Sequence, residues 1–72
     1  MLDLTPRQLA ALLWLPADGS WTKRPRWISA AVDSLRYDHP RLVDTDFDPR
    51  GALSRLTGAG REERKRRETS NA

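Results

Sequence analysis

A tight turn at residues 48–51, Asp-Pro-Arg-Gly, is the feature that most restricts the fold of this chain. Asp can accept a hydrogen bond from the backbone ahead of it, Pro presets φ, and Gly accepts a positive φ. Extended segments flank the turn, so residues 42–56 are predicted to form a β-hairpin. A two-residue loop pairs Phe47 with Ala52 and a three-residue loop pairs Phe47 with Leu53, and the sequence leaves both registers open.

The first strand of this hairpin is predicted to have an apolar face, with Val43, Thr45 and Phe47, and an acidic face. The acidic face holds three carboxylates with about 7 Å between neighbours. Such a stripe suits a basic partner surface or a loose phosphate mimic. The plainer interpretation is a solvated face that Arg50, Arg55 or Arg41 partly neutralises. The three carboxylates are those of Asp44, Asp46 and Asp48.

Two segments before the hairpin are predicted to be helices. Thr5 can cap the first helix, Pro6 suits its first turn, and Gln8 completes a capping box. This helix is expected to end near Leu15, because a proline follows. A second helix is expected from about residue 25 to about residue 37. Its apolar stripe has the i, i+3, i+4, i+7 spacing of an amphipathic helix and consists of Ile28, Ala31, Val32 and Leu35.

The length and the charge distribution predict one small domain with a charged end. The chain has 72 residues and a formal net charge of +3. Residues 58–72 hold five basic and three acidic side chains. We therefore expect a folded domain at residues 1–60 and a charged, mobile tail at residues 61–72. Residues 61–68 can alternatively form a frayed helix with internal salt bridges.

The composition offers little for catalysis or metal binding. The chain has no Cys and a single His, so disulfides, thiolate chemistry and a nucleophile–base pair are not supported. Carboxylates spaced along a strand diverge, and no His or Cys joins them as a further ligand. We therefore expect a non-enzymatic protein without cofactor or metal. No apolar run approaches the roughly 20 residues that span a bilayer, and no signal peptide is recognisable, so a cytoplasmic protein is expected.

Three tryptophans are the largest side chains of the sequence. Aromatic rings bury a large area each, so in a small domain they are more often part of the core than of a contact surface. Trp14 lies off the apolar stripe of the first helix, so at least one ring is expected to stay half exposed and to anchor a partner. Trp14 and Trp27 are the candidates, whereas Trp21 and Thr22 can form a very short strand.

A basic connector before the second helix supports a nucleic-acid alternative. Lys23, Arg24 and Arg26 can meet phosphates in front of a helix that enters a DNA groove, although a solvated loop is the plainer interpretation. Asp33, on the exposed face of that helix, is a poor residue next to phosphates. The full alternative set for nucleic-acid binding is Lys23, Arg24, Arg26, Arg36 and Arg50.

Four short motifs carry a resemblance to known families. Leu-Thr-Pro-Arg-Gln at residues 4–8 and Leu-Thr-x-x-Gly-Arg at residues 56–61 resemble the opening and closing phrases of small winged-helix proteins. Trp-Leu-Pro-Ala-Asp-Gly-Ser-Trp at residues 14–21 and His-Pro-x-Leu-Val at residues 39–43 resemble short alphaproteobacterial phage and prophage proteins. The resemblance implies an α+β, winged-helix-like domain with two main helices packed on a C-terminal β-hairpin. It also implies DNA binding, with the second helix as the reader and the hairpin as the wing.

The sequence departs from that pattern in two places. Only nine residues separate Leu15 from Pro25, and they include a proline and a glycine, so a helix that supports a reader does not fit there. The wing carries the acidic stripe where Lys or Arg favours DNA. Small, Cys-free, phage-type proteins of mixed charge also resemble anti-CRISPR proteins, by analogy of size, origin and surface rather than by a motif.

These observations together predict a phage-type interaction protein that acts in the cytoplasm of a bacterial host. It is expected to be a monomer rather than a dimer, and to inhibit a host nucleic-acid-handling complex. The concrete form is an anti-CRISPR protein that blocks target DNA binding by a CRISPR effector complex. The alternative is a winged-helix DNA-binding transcription regulator, and a structural protein of a phage particle is a third candidate.

Overall fold

Three helices and a three-stranded antiparallel sheet make up the fold, which confirms the α+β class. The computed structural model describes residues 3–49 and 51–70, so Arg50 of the alternative set lies outside the described residues. The sequence predicted two main helices, whereas the structure has a third helix, which follows the hairpin. In chain order the elements are α1 (Pro6–Trp14), β1 (Thr22–Lys23), α2 (Arg26–Asp38), β2 (Val43–Asp48), β3 (Gly51–Leu56) and α3 (Gly58–Ser70).

The capping box predicted for α1 is confirmed. The Thr5 hydroxyl accepts a hydrogen bond from the Gln8 N–H at 3.1 Å, and Gln8 Oε1 accepts one from the Thr5 N–H at 3.0 Å. The Gln8 side chain is buried, and its amide nitrogen also donates to Ser34 Oγ at 3.1 Å and to Asp38 Oδ2 at 2.6 Å. One residue therefore starts α1 and also ties it to α2. The helix ends as expected, with Leu15 at its C-cap.

The sequence left two hairpin registers open, and the structure has the one with a two-residue loop. Phe47 lies opposite Ala52, and Val43 lies opposite Leu56. Gly51 has φ 134°, a value that residues with a Cβ rarely adopt. The very short strand is present but shifted by one residue, at β1, where Thr22 pairs with Ser54. Strand β3 therefore lies in the middle of the sheet, in the order β1-β3-β2.

The buried core is aliphatic, and the expectation that tryptophan rings help to fill it is wrong for Trp21 and Trp27, whereas Trp14 is partly buried against the core, as expected. Trp27 comes one residue before the α2 stripe, about 100° around the helix, and its ring is 71% exposed. Trp14 packs only against the rim of the core. Trp21 is 40% exposed. The core consists of Ala11, Leu12, Leu15, Ile28, Ala31, Val32, Leu35, Leu42, Val43 and Leu56.

The charged C-terminal segment is a helix in the described residues. Thr57 begins α3, since its hydroxyl accepts a hydrogen bond from the Gly60 N–H at 3.0 Å. Glu63 is buried and pairs with Arg67 at 2.7 Å and with Arg66 at 2.9 Å, which are i+4 and i+3 contacts typical of helices. The predicted boundary between residues 60 and 61 therefore falls inside α3. The mobility of residues 61–72 stays a prediction, and residues 71 and 72 lie outside the described part of the chain.

Candidate partner-binding surface

The two faces of the sheet differ in burial. Directly opposite residues of an antiparallel pair point to the same face, so Val43 with Leu56, and Thr45 with Ser54, face the helices. Val43, Leu56 and Ser54 are buried there. The alternate positions point away from the helices, and we call this side the outer face. The outer face carries Asp44, Asp46 and Asp48 on β2, Leu53 and Arg55 on β3, and Trp21 and Lys23 beside β3.

The outer face changes in charge along its length. At one end, Arg55 Nε lies 3.3 Å from Asp44 Oδ2, and the Arg55 guanidinium stacks over the Trp21 ring at 4.5 Å. Of the three arginines that the sequence offered for partial neutralisation, Arg55 is therefore the one beside Asp44. Farther along β2, Asp46 and Asp48 are exposed, and Asp46 Oδ1 accepts a hydrogen bond from the backbone N–H of Phe47 at 2.8 Å. Asp46 and Asp48 therefore place exposed carboxylates next to the turn.

Phe47 is an exposed aromatic residue that the sequence interpretation did not select as a contact. Its alternation places it on the apolar side of β2, as predicted, but its side chain is 75% exposed. The helices cover that side only as far as Thr45, which is half buried. The sequence did carry one signal for this exposure. Phe47 lies two residues beyond Thr45 and one residue before the turn, which is where a strand leaves the core. Phe47 and the two acidic residues beside it form what we call the hairpin tip, residues 46–48.

Trp14 and Trp27 form a pair at the other side of the molecule. Their ring centroids are 6.1 Å apart and the rings meet edge to face at 81°. The structure therefore brings the two predicted tryptophan anchors together, at the start of α2 and the end of α1. The predicted carboxylates lie on the outer face of the sheet, which points away from the helices. The predicted partner-binding residues are thus two separate surfaces rather than one.

The alternative basic set is dispersed. Arg24 has a side chain that is only 10% exposed and forms an ion pair with Asp33, so it is engaged within the domain. Lys23 lies on the outer face of the sheet. Arg26 and Arg36 are exposed, but ten positions along a helix separate them by about 15 Å. These residues do not form one basic patch on the described part of the chain.

A loop before β1 carries the clearest electrostatic perturbation. Hydrogen bonds from the backbone and the side chain of Ser20 lower the pKa of the Asp18 carboxyl group, and the nearby charge of Arg61 lowers it further. The Ser20 N–H lies 2.9 Å from Asp18 Oδ1. Arg61 Nη1 donates to the Asp18 carbonyl oxygen at 3.4 Å, so the loop is also held to α3.

The described residues offer neither a metal-ligand cluster nor a membrane span. Within residues 3–49 and 51–70, no three His, Asp or Glu side chains gather closely enough to hold a metal ion. No helix in the same ranges has the length and apolar character to cross a bilayer. The fold and its surfaces define a small α+β domain with a mixed-charge sheet face and several exposed aromatic side chains, among them Trp27, Tyr37 and Phe47. In comparisons with known proteins, no family model, no curated protein and no solved structure matches the chain.

Proposed function

We propose that this protein is a non-enzymatic, phage-type interaction protein that binds a basic surface of a host nucleic-acid-handling complex and inhibits it. The observation that carries the proposal is the hairpin tip, where exposed carboxylates flank an exposed phenylalanine. Carboxylates two residues apart along a strand are about 7 Å apart, which suits a surface that otherwise holds phosphates. The concrete form is an anti-CRISPR protein that covers the DNA-binding surface of a CRISPR effector complex.

The chemistry of the tip fits such a partner in two ways. Exposed charges accelerate association with a surface of opposite charge and disfavour partners of like charge. An exposed aromatic ring supplies the area that commonly dominates the binding energy of an interface. The tip contains both within residues 46–48. A basic surface with an apolar pocket is therefore the expected contact.

A charge-reversal experiment tests this proposal. Immobilised protein is used to capture complexes from a bacterial host lysate, and the captured proteins are identified by mass spectrometry. The double variant Asp46→Lys/Asp48→Lys is expected to lose a nucleic-acid-handling complex that the unchanged protein captures. The control Asp3→Lys/Glu62→Lys makes the same charge change at exposed positions away from the sheet and should retain capture. Equal capture by both variants would remove the hairpin tip as the contact.

A winged-helix transcription regulator is the second candidate, and two exposed arginines on α2 support it. Arg26 and Arg36 on α2, the helix in the reader position, would then contact phosphates. The engaged side chain of Arg24 and the acidic β2 count against this candidate.

Duplex DNA distinguishes the two candidates. A titration with random duplex at low and at physiological salt should show micromolar affinity and a steep salt dependence if the protein is a regulator. The variant Arg26→Gln/Arg36→Gln should then bind more weakly and with a smaller salt slope. For the interaction protein we expect negligible DNA binding even at low salt.

A further inference from the structure

Strand β2 forms a long edge of the sheet. The order β1-β3-β2 leaves one side of β2 without a neighbouring strand in the described part of the chain. The opposite edge is β1, which has only 2 residues, whereas β2 has 6. An edge of that length presents backbone N–H and C=O groups to which a further strand can bond. The open side of β2 is therefore the most extensive backbone surface of this sheet.

The hydrogen bond of Phe47 shows which residues point to the open edge. Its N–H donates to Asp46 Oδ1 at 2.8 Å, and that side chain cannot lie between β2 and β3. The Phe47 N–H therefore points outward. Because inward and outward pairs alternate along an antiparallel ladder, the N–H and C=O of Thr45 also point outward. Asp44 and Asp46, in contrast, direct their backbone groups toward β3.

We propose that the edge of β2 binds an extended basic segment of the partner protein as a fourth strand. This inference rests on the proposed function and specifies how the basic partner is bound. Backbone hydrogen bonds to Thr45 and Phe47 would provide the pairing, as in other cases of strand addition. Lys or Arg at alternate positions of the segment would face Asp44 and Asp46. Apolar residues at the intervening positions would lie on the side of Phe47.

The carboxylate of Asp46 explains why the segment has to be basic. In the free protein it occupies the Phe47 N–H that an incoming strand needs. A neutral strand would displace the carboxylate and gain no ion pair with it, whereas a strand with a facing Lys or Arg adds a charge-assisted contact. Asp46 thus disfavours pairing of the β2 edge with strands in general but permits pairing with a basic strand.

The same charges disfavour a second copy of this chain at the edge. Pairing β2 with β2 would bring the acidic residues of two copies onto one face of a joined sheet. Like charges on neighbouring strands destabilise the pairing. The stripe therefore favours a basic segment over self-association.

The test uses short synthetic peptides and amide hydrogen exchange followed by NMR. A peptide that alternates lysine and valine is compared with one of the same composition in which the lysines and valines form two blocks. The alternating peptide should bind more tightly and slow exchange at the Thr45 and Phe47 amides by about tenfold or more. Binding without protection of these amides, equal binding of both peptides, or no binding would overturn the proposal. Concentration-dependent protection without peptide would identify a second copy as the occupant and overturn it as well.

Two variants separate the backbone contribution from the charge. Thr45→Pro deletes an outward N–H while sparing the ladder with β3, so it should abolish the protection of Phe47 by the peptide. Thr45→Val is its control and should bind as the unchanged protein does. If Thr45→Pro does not fold, Asp46→Asn keeps the acceptor for Phe47 without the charge. This variant should bind the alternating peptide about tenfold more weakly, and unchanged affinity would contradict the proposal.

Failure of this inference can be distinguished from failure of the proposed function. If the peptide gives no protection but Asp46→Lys/Asp48→Lys loses complex capture, strand addition is wrong and the acidic contact stands. If the double variant captures the complex normally, the proposed function is wrong, whatever the peptide does.

Discussion

The two ends of the hairpin differ in how deeply their side chains are buried. At the base, Val43 and Leu56 are opposite each other and buried. At the tip, Phe47 and Ala52 hold the same relation on the same face, yet Phe47 is largely exposed. The same two strands therefore contribute stability at one end and accessible surface at the other. A small domain has a small core and therefore a limited free energy of unfolding. Keeping the exposed site apart from the core avoids reducing that free energy further.

The base is closed by the contacts of α3, which we call the α3 junction. The Thr57 N–H donates to the Leu42 carbonyl oxygen at 3.0 Å, and the Thr57 hydroxyl donates to the carbonyl oxygen of Arg41. One turn later, Gly60 passes directly over Leu42. These contacts connect the residues before β2 with those after β3.

The largest expected effect is that of Gly60→Ala. A Cβ at this position would lie 2.1 Å from the Leu42 carbonyl oxygen, which is backbone and cannot rotate away. The helix would have to shift from the sheet, so we expect a loss of about 3 kcal/mol in the free energy of unfolding. Urea denaturation followed by circular dichroism measures it.

Gly58→Ala is the matched control, in the first turn of the same helix. The nearest atom to a Cβ there is the Arg61 Nη2 at 3.9 Å, the mobile end of a side chain. Replacing a helical glycine by alanine should then increase stability by about 0.5 kcal/mol. If both substitutions cost the same, the close approach to Leu42 is not what makes the base rigid.

A second effect at the α3 junction is expected for Arg64→Met. Arg64 donates hydrogen bonds to carbonyl oxygens at the C-terminal end of α1, those of Leu12 at 3.4 Å and Leu15. Carbonyl groups at helix ends lack partners in their own helix, and a cation there also favours the helix dipole. Methionine keeps the apolar stem but loses the donors, so a decrease of about 1.5 kcal/mol is expected.

The control for Arg64 is Lys65→Met at the exposed neighbouring position, which should change the unfolding free energy by less than about 0.5 kcal/mol. The contact is also expected to require a guanidinium group rather than any positive charge. Arg64→Lys should therefore recover only part of the loss, because an ammonium group lacks the planar fork. Full recovery would mean that charge alone, and not the bonds to both carbonyl groups, holds α3 to α1.

The difference between the two ends also explains what the sequence could predict. The partners of the α1 capping box are three residues apart, and the α2 stripe repeats with the helical period, so both are local signals. The contacts of Gly60 with Leu42 and of Arg64 with Leu15 depend on how distant segments meet. The Leu-Thr-x-x-Gly-Arg phrase was therefore recognisable as a resemblance, but its physical reason required the fold.

The candidate site shows the same limit. Alternation along β2 identified the acidic face, and the structure places that face away from the helices. Alternation could not predict that Phe47 extends past the core, because the number of strand residues that the helices cover is a tertiary property. The burial of Arg24 beside Asp33 is of the same kind, since these residues are nine positions apart and belong to different elements.

A smaller effect is expected for Phe47→Ala at the tip. The ring is mostly in contact with solvent, so its removal should change the unfolding free energy by less than about 0.5 kcal/mol. Val43→Ala, on the same face at the base, removes fewer atoms but leaves a cavity and should cost about 2 kcal/mol. A loss above 1 kcal/mol for Phe47→Ala, on the order of the burial of a methylene group, would mean that the tip is part of the packed structure.

The smallest expected effect is on the pH dependence of stability. It arises at Asp18, in the loop that contacts α3. The pKa of Asp18 is lowered from 3.8 because Ser20 donates hydrogen bonds to its carboxylate, and Arg61 of α3 adds an attractive charge. A lowered pKa in the folded state stabilises the fold above the ordinary value of the group, and this contribution is lost as the pH falls through the folded value. Ser20→Ala removes one donor, so the pKa of Asp18 should rise toward its ordinary value in an NMR titration of the carboxyl carbon. Asp18→Asn should accordingly make the unfolding free energy fall less steeply below about pH 4. An unchanged slope in Asp18→Asn would show that the loop does not contribute to the stability of the α3 junction, and that the closed end depends on Gly60 and Arg64 without it.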